Sequence, residues 1–272
     1  MTLEKIIPLA VFGGLFLAEL CRGCYSKEKQ NLNERLIALG AYLQQFSIVR
    51  PIIALLTAAI ITQLFPQSAG ILSDLPFWPA LLIHILIQDF IQYWYHRYSH
   101  EWPWLWKLHK THHTASAMNV FVGPRGNIFW FFLMPTLYYQ AIVIHMGLLE
   151  VFVWGYAIRA VVSISSHSAF RWDLMLFNIS ALKPAMKLLS KFITLPDTHH
   201  AHHGMGDYAQ PNGNYAPLIF FYDTLFGSAK IPIERQQSFG VPEGPDQNWT
   251  EQLWWPASNL ITFIPKLNKP KN

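Results

Sequence analysis

Charge is scarce in this chain: Asp, Glu, Lys and Arg make up only 13% of its 272 residues, against roughly 25% in soluble domains. With 52% apolar residues, much of the surface must face something other than water, and a bilayer is the solvent that fits. Cysteine is nearly absent. Cys21 and Cys24 form a lone CxxC with no second pair to complete a zinc site and no βαβ context for redox work, so they read as reduced thiols. There is no basic stripe for nucleic acid, since the net charge is only +4 and Lys and Arg gather in connecting segments. No internal repeat or low-complexity tract is seen, and no haem or flavin domain is expected within these residues. The first twenty residues lack a basic leader and a small-residue cleavage site, and read as a retained anchor.

Five apolar stretches stand out: Ile6–Leu20, Pro51–Phe65, Phe77–Tyr95, Ile128–Met146 and Leu148–Ile164. A helix needs about 20 residues to cross a hydrocarbon core, so the first two need flanking residues, a thinner membrane or a partly re-entrant path. Arg22, Lys27, Lys29, Arg35 and Arg50 lie between the first two stretches, whereas 66–76 holds no Lys or Arg. Short cytoplasmic loops are enriched in these residues, which sets the first loop inside and, by alternation, the histidine-rich segments also inside. The expected fold class is all-α: a polytopic integral membrane protein with about four to five membrane helices and a cytosolic helical cap. A single domain over 1–272 is expected, with a core at about 89–227 and an interfacial tail at 230–272, where Trp249, Trp254 and Trp255 suit the headgroup region. The N-glycosylation patterns at Asn178 and Asn248 fall on the wrong side of this topology and are assigned no function.

Nine of the twelve histidines fall into three tight groups and one outlier: His96 and His100; His109, His112 and His113; His199, His202 and His203; and His167. Residues three or four apart share one face of a helix, so each group can aim two or three imidazoles at one point. A lone buried histidine is usually a hydrogen-bonded core residue, but three such groups point to metal. Imidazole suits Zn, Cu, Fe and Ni alike. A zinc site closes with four ligands or keeps three and a water, so nine donors imply two ions with open positions, which suit O2. His84 and His145 lie too far along their helices to join. His200 stands among the groups but off their spacing, as a ligand or just outside them. Asp89, two helical turns before His96 on the same face, is an orienter of a ligand, a cap, or a partner of Arg97 or Arg125; Asp197 and Asp223 are orienters or caps. Tyr93, Trp94, Phe129, Phe132 and Tyr156 are expected to line a lipid channel.

The segments Asp89–His100, Leu105–His113 with Met118-Asn119, His167-Ser168, and Pro196–Gly204 followed by Asn214-Tyr215 and Tyr222–Gly227 resemble the histidine boxes of the fatty acid hydroxylase / sterol desaturase superfamily. That resemblance implies two iron ions at the cytosolic face, held by His96, His100, His109, His112, His113, His167, His199, His202 and His203. It further implies O2 as co-substrate, an external electron donor in the form of a separate reductase, and a lipid substrate hydroxylated or desaturated in the membrane. Where relatives often carry Arg-x-His-Pro, this chain has Arg125-Gly-Asn127-Ile, leaving Asn127 or a water as a possible substitute. Two rivals are a zinc-dependent membrane hydrolase, which needs a carboxylate base near the metal, and a metal transporter or sensor, whose histidines should line a path across the bilayer.

Overall fold

A computed structural model of the chain describes residues 2–26, 31–206, 209–231, 236–242 and 248–258. Every regular element among them is helical, and the only bridge is an isolated one between Gly204 and Phe239. The first part of the chain forms α1 (Leu3–Cys21), α2 (Leu32–Gln44) and α3 (Arg50–Leu64). A π turn at Gln45–Val49 joins α2 to α3, so that Leu32–Leu64 is one continuous helical run. The widened turn sits where Pro51 withholds its N–H and crowds the carbonyl one turn back. Arg50 therefore lies in mid-helix rather than in a loop, while Lys27 and Lys29 fall outside the described residues.

The central helix is α4 (Phe77–Glu101), followed after Trp102 by α5 (Pro103–His113). The stretch expected as one helix over 128–146 is two: α6 (Ile128–Phe132) and α7 (Pro135–His145). Pro135 is the reason, since its ring would clash with the carbonyl of Phe131 in a continued helix. The chain then turns at Gly147 into α8 (Leu149–His167). Gly147 has φ +95° and its absent Cβ leaves room for Gly70 and Ser73, so the 66–76 loop closes onto this end of the bundle, with Gly70 N–H donating to the His145 carbonyl.

Short helices complete the other end: α9 (Trp172–Phe177), α10 (Lys183–Leu189), α11 (Pro196–His203), α12 (Phe221–Leu225) and α13 (Trp249–Trp254). Two helical runs, Leu32–Leu64 and Leu149–His167, are long and apolar enough to cross a membrane. Many large apolar side chains on α1, α3 and the outer face of α4 are exposed, including Leu9, Leu55, Ile60, Trp78 and Ile83, as lipid-facing residues would be. In the bundle α8 packs on α1, α4 and α7, and α3 on α7. The described part of the tail docks: Leu253 on α13 is fully buried against Ile37 and Ala41 of α2. The chain from 259 to 272 lies outside the described residues.

Candidate metal centre

Four helix ends meet at one end of the bundle; three of them supply imidazoles for the same reason, a spacing of three or four residues that puts them on one helix face, and the fourth supplies a single histidine. His96 and His100 come from the last turns of α4, His109, His112 and His113 from α5, His167 from the last residue of α8, and His199, His202 and His203 from α11. Potential ligand atoms of His96, His100, His109 and His113 lie within 4.8 Å of one another, as do those of His112, His167, His199 and His203; a third group, His113, His202 and His203, overlaps both. All nine are thus brought into one buried cluster with two four-membered centres. No Asp or Glu belongs to these groups among the described residues.

Hydrogen bonds fix which nitrogen points inward. A carbonyl can only accept, so His96 Nδ1–H donates to Tyr215 O (2.6 Å), His202 Nδ1–H to Gly213 O (2.7 Å) and His167 Nδ1–H to Ser163 O (2.7 Å). A neutral ring with its proton on Nδ1 presents a bare lone pair at Nε2. Yet His96 Nε2 and His202 Nε2 stand 3.1 Å apart. Two lone pairs at that distance repel unless a cation lies beside them. A metal–imidazole bond of about 2.1 Å with roughly tetrahedral or right-angle geometry separates neighbouring nitrogens by ~3.0–3.4 Å, which matches.

A proton is the alternative cation, and burial works against it. His109, His112, His113, His199, His202 and His203 are all held well below the ordinary histidine range, first because burial penalises the charged form and then, with other groups, because the neighbouring imidazoles repel it. Neutral imidazole is the ligand form. His100 Nε2 and His203 Nε2 are buried without any protein partner, a cost that native interiors avoid unless something binds there. The donor set therefore fits a pair of metal ions.

Around the cluster, Trp130 of α6 stacks on His109 at 4.7 Å and is tied by its indole N–H to Ser99 Oγ. Trp106 lies against His100 and His113. A cleft of about 500 Å3 lined by His100, Trp106, His113, His202, Met205 and Pro211 reaches the cluster from outside.

The expected supporting residues sit elsewhere. Asp89 Oδ2 accepts from Ile219 N–H (2.7 Å) and contacts no histidine, Arg97 or Arg125, because the 215–219 loop reaches it first. Asn127 caps α6, accepting from Phe129 N–H and donating to the carbonyls of Gln252 and Trp255, so both ends of its amide are spent on backbone. Asp197 pairs with Arg171, which also grips Asp173 bidentately. Asp223 accepts from Tyr215 N–H, Ala216 N–H and Ser228 Oγ; it braces the loop whose Tyr215 carbonyl orients His96. His200 turns its edge to Phe239 and lies outside the metal-spaced groups. Tyr93 and Trp94 pack on Phe226, and Phe129 and Phe132 on the core of α4 to α7, so this aromatic set fills space rather than lining one channel. His84 and His145 bond to Tyr139 and Ser68, away from the cluster.

One residue was hidden in an apolar run. Glu19 of α1 is fully buried and accepts from Ser168 Oγ (2.7 Å), Ala169 N–H (2.8 Å), Val120 N–H (3.3 Å) and the Tyr25 hydroxyl. It staples α1 to the turn that follows His167. A carboxylate inside a membrane-length helix was the available signal. The three orienting carbonyls, by contrast, leave no mark in sequence.

The fold and the cluster together define a class: a bundle that is helical throughout its described residues, apolar, with an all-nitrogen cluster at one end that could hold metal. Comparison narrows it. The family model Fatty acid hydroxylase matches residues 81–228, more than half of the chain. Similar proteins include a very-long-chain aldehyde decarbonylase of Oryza sativa subsp. japonica, 26% identical over 55% of this chain and 46% of its own length. A methylsterol monooxygenase of Arabidopsis thaliana is 25% identical over 60% and 54%, and an alkylglycerol monooxygenase of Danio rerio 25% over 62% and 35%. The chain spans about half or less of the length of these relatives. No solved structure matches it. The chain belongs to the fatty acid hydroxylase family.

Proposed function

We propose that this chain is an O2-dependent di-iron oxygenase that hydroxylates or desaturates a C–H bond of a membrane lipid. The observation that carries the reading is the pair of inward lone pairs on His96 and His202, 3.1 Å apart with both outer nitrogens already committed to carbonyls. His96, His100, His109, His113 and His202 would hold one ion, and His112, His167, His199 and His203 the other. Iron held there supplies O2 activation, with one oxygen atom entering the product or both leaving as water, and two electrons arriving from a separate reductase.

The protein's own contribution is positional. Carbonyls of Tyr215, Gly213 and Ser163 hold three rings in one tautomer, and burial keeps the imidazoles neutral. Trp130 stacks on His109 and Trp106 packs against His100, holding those rings in place. Relatives named for action on sterol, alkylglycerol and long-chain aldehyde support a lipid substrate, and the exposed apolar flanks of α3 and α4 support its delivery from the bilayer, with the cluster at the cytoplasmic face. Among the described residues, a zinc hydrolase finds no carboxylate base in the histidine groups, and a transporter finds no metal-spaced histidine group away from this one end of the bundle. The test is lipid analysis of cells with and without the gene under 18O2. A lipid gaining label, or losing two hydrogens, only with the intact gene supports the reading; a hydrolysed lipid formed equally without O2 overturns it.

A further inference from the structure

Between Asp173 and Asp197 the chain carries Lys183, Lys187 and Lys191 and no acid. This segment folds as α9 and α10, packed on each other beside α11 and its histidines. Only Met186 of α10 is buried. Met175, Ile179, Leu182, Leu188, Leu189 and Phe192 face outward, each between 39% and 60% exposed, a concentration of bare apolar side chains that a water-facing surface rarely holds. The three lysines are exposed as well. They lie four apart and so share one side of α10, whose last turn runs on to Lys191 through Lys191 N–H on the Leu188 carbonyl and Ile193 N–H on the Leu189 carbonyl.

The helix pair is fixed at its root. Arg171, just before α9, grips Asp173 and also Asp197 in the first turn of α11, and Thr194 Oγ1 donates to the Ala216 carbonyl. From there the apolar surface continues to the outer side of α4. Phe192 stacks on Phe221 at 5.8 Å, and the neighbouring Tyr222 packs on Phe90 at 5.8 Å and donates its hydroxyl to the Leu86 carbonyl. Leu86, Ile87 and Phe90 are themselves exposed on the lipid-facing side of that helix. Charge decides what covers the patch. A second copy would set lysines against lysines, and residues 259–272 bring Lys266, Lys269 and Lys271 with no acid. Lipid phosphates supply the missing sign, and acyl chains the missing apolar contact.

We infer that residues 174–192 are an in-plane membrane element that docks on an anionic phospholipid surface. Its apolar side chains lie at the acyl boundary, Lys183, Lys187 and Lys191 lie among the phosphates, and the histidine cluster is thereby seated against the membrane that bears the bundle. The inference needs the bundle to span a bilayer but does not need the oxygenase reading. An interfacial helix binds through buried apolar area plus electrostatic attraction. Each lysine at an anionic surface contributes about a fivefold preference, so three together favour an anionic over a zwitterionic lipid by up to about 100-fold.

The test uses the iron-loaded full chain in nanodiscs of phosphatidylcholine and phosphatidylglycerol, with Cys21→Ser, Cys24→Ser and Leu188→Cys placing one fluorescent label on α10. Spin-labelled phosphatidylcholine or phosphatidylglycerol is titrated in as quencher. Both should quench the label, the anionic lipid at a ~10- to 100-fold lower mole fraction, and about 1 M salt, which cuts the screening length to ~3 Å, should shrink that preference. Adding Lys183→Gln, Lys187→Gln and Lys191→Gln should abolish the preference and keep the quenching. No quenching by either lipid, the result if water, a second copy or residues 259–272 meet this face, overturns the inference. Equal quenching by both lipids with the lysines intact overturns it too. Should the triple glutamine variant fail to fold, the lipid ranking and its salt dependence decide the matter. Selective quenching in a chain that oxidises no lipid would sink the oxygenase reading and leave the membrane element standing.

Discussion

Removing the Glu19 carboxylate tests whether α1 belongs to the metal centre or merely anchors the chain. In Glu19→Ala, Ser168 Oγ, Ala169 N–H and Val120 N–H lose their acceptor in a place where Glu19 and Ser168 are fully buried. Each buried donor left without a partner costs ~1–3 kcal/mol, so the three together cost at least ~3 kcal/mol. For a chain of this size that lowers the unfolding temperature by on the order of 10 °C. Glu19→Gln keeps one oxygen for Ser168 and Ala169 but turns an N–H donor toward Val120 and Tyr25, so its loss should be intermediate. Because Ser168 follows His167 directly, the weakened staple should reach the group His112, His167, His199 and His203 before the other. The assay is thermal unfolding of detergent-purified variants alongside their iron content. An alanine variant that unfolds within ~2 °C of wild type with unchanged iron would refute the reasoning.

Three further outcomes follow from the same geometry. Arg171→Met leaves the fully buried Asp173 without its bidentate partner and unties Asp197 at the start of α11; a loss of ~3–5 kcal/mol should appear in thermal unfolding, and a neutral result would show the triad to be dispensable. His112→Ala should abolish iron loading and turnover while membrane insertion, read by carbonate extraction, persists; full activity would remove His112 from the ligand set. In chelator-stripped protein, histidines such as His109, His199 and His203 stay neutral when folded but take protons in the unfolded chain. Stability should therefore be complete above pH ~6.5 and fall as pH drops toward the folded values, by up to ~1.4 kcal/mol per pH unit for each histidine; an unfolding temperature flat from pH 8 to 5 would contradict this.

The histidine groups were legible because helical periodicity alone puts residues three and four apart on one face, whatever the tertiary fold. His167 stood out only as an outlier, since one histidine at a helix end carries no period, and its place among the ligands was implied by the family resemblance. The break at Pro135 was written in the sequence, but an unbroken apolar run hid it. Asp89 and Asn127 turn away from the cluster for one shared reason: backbone groups arriving from residues 219, 252 and 255 claim them, and contacts across more than a hundred residues have no local signature. Asp223 acts on His96 through a peptide carbonyl rather than directly, a link that no spacing argument could draw. Glu19 was visible as a charge in an apolar helix, whereas its partners were not.

The central claim is that the nine converging imidazoles hold two iron ions. Elemental analysis of the full chain, purified from iron-replete cells without added metal, measures this directly. The account predicts close to two iron atoms per chain and no stoichiometric zinc; a single zinc per chain, or a folded protein free of transition metal, would contradict it.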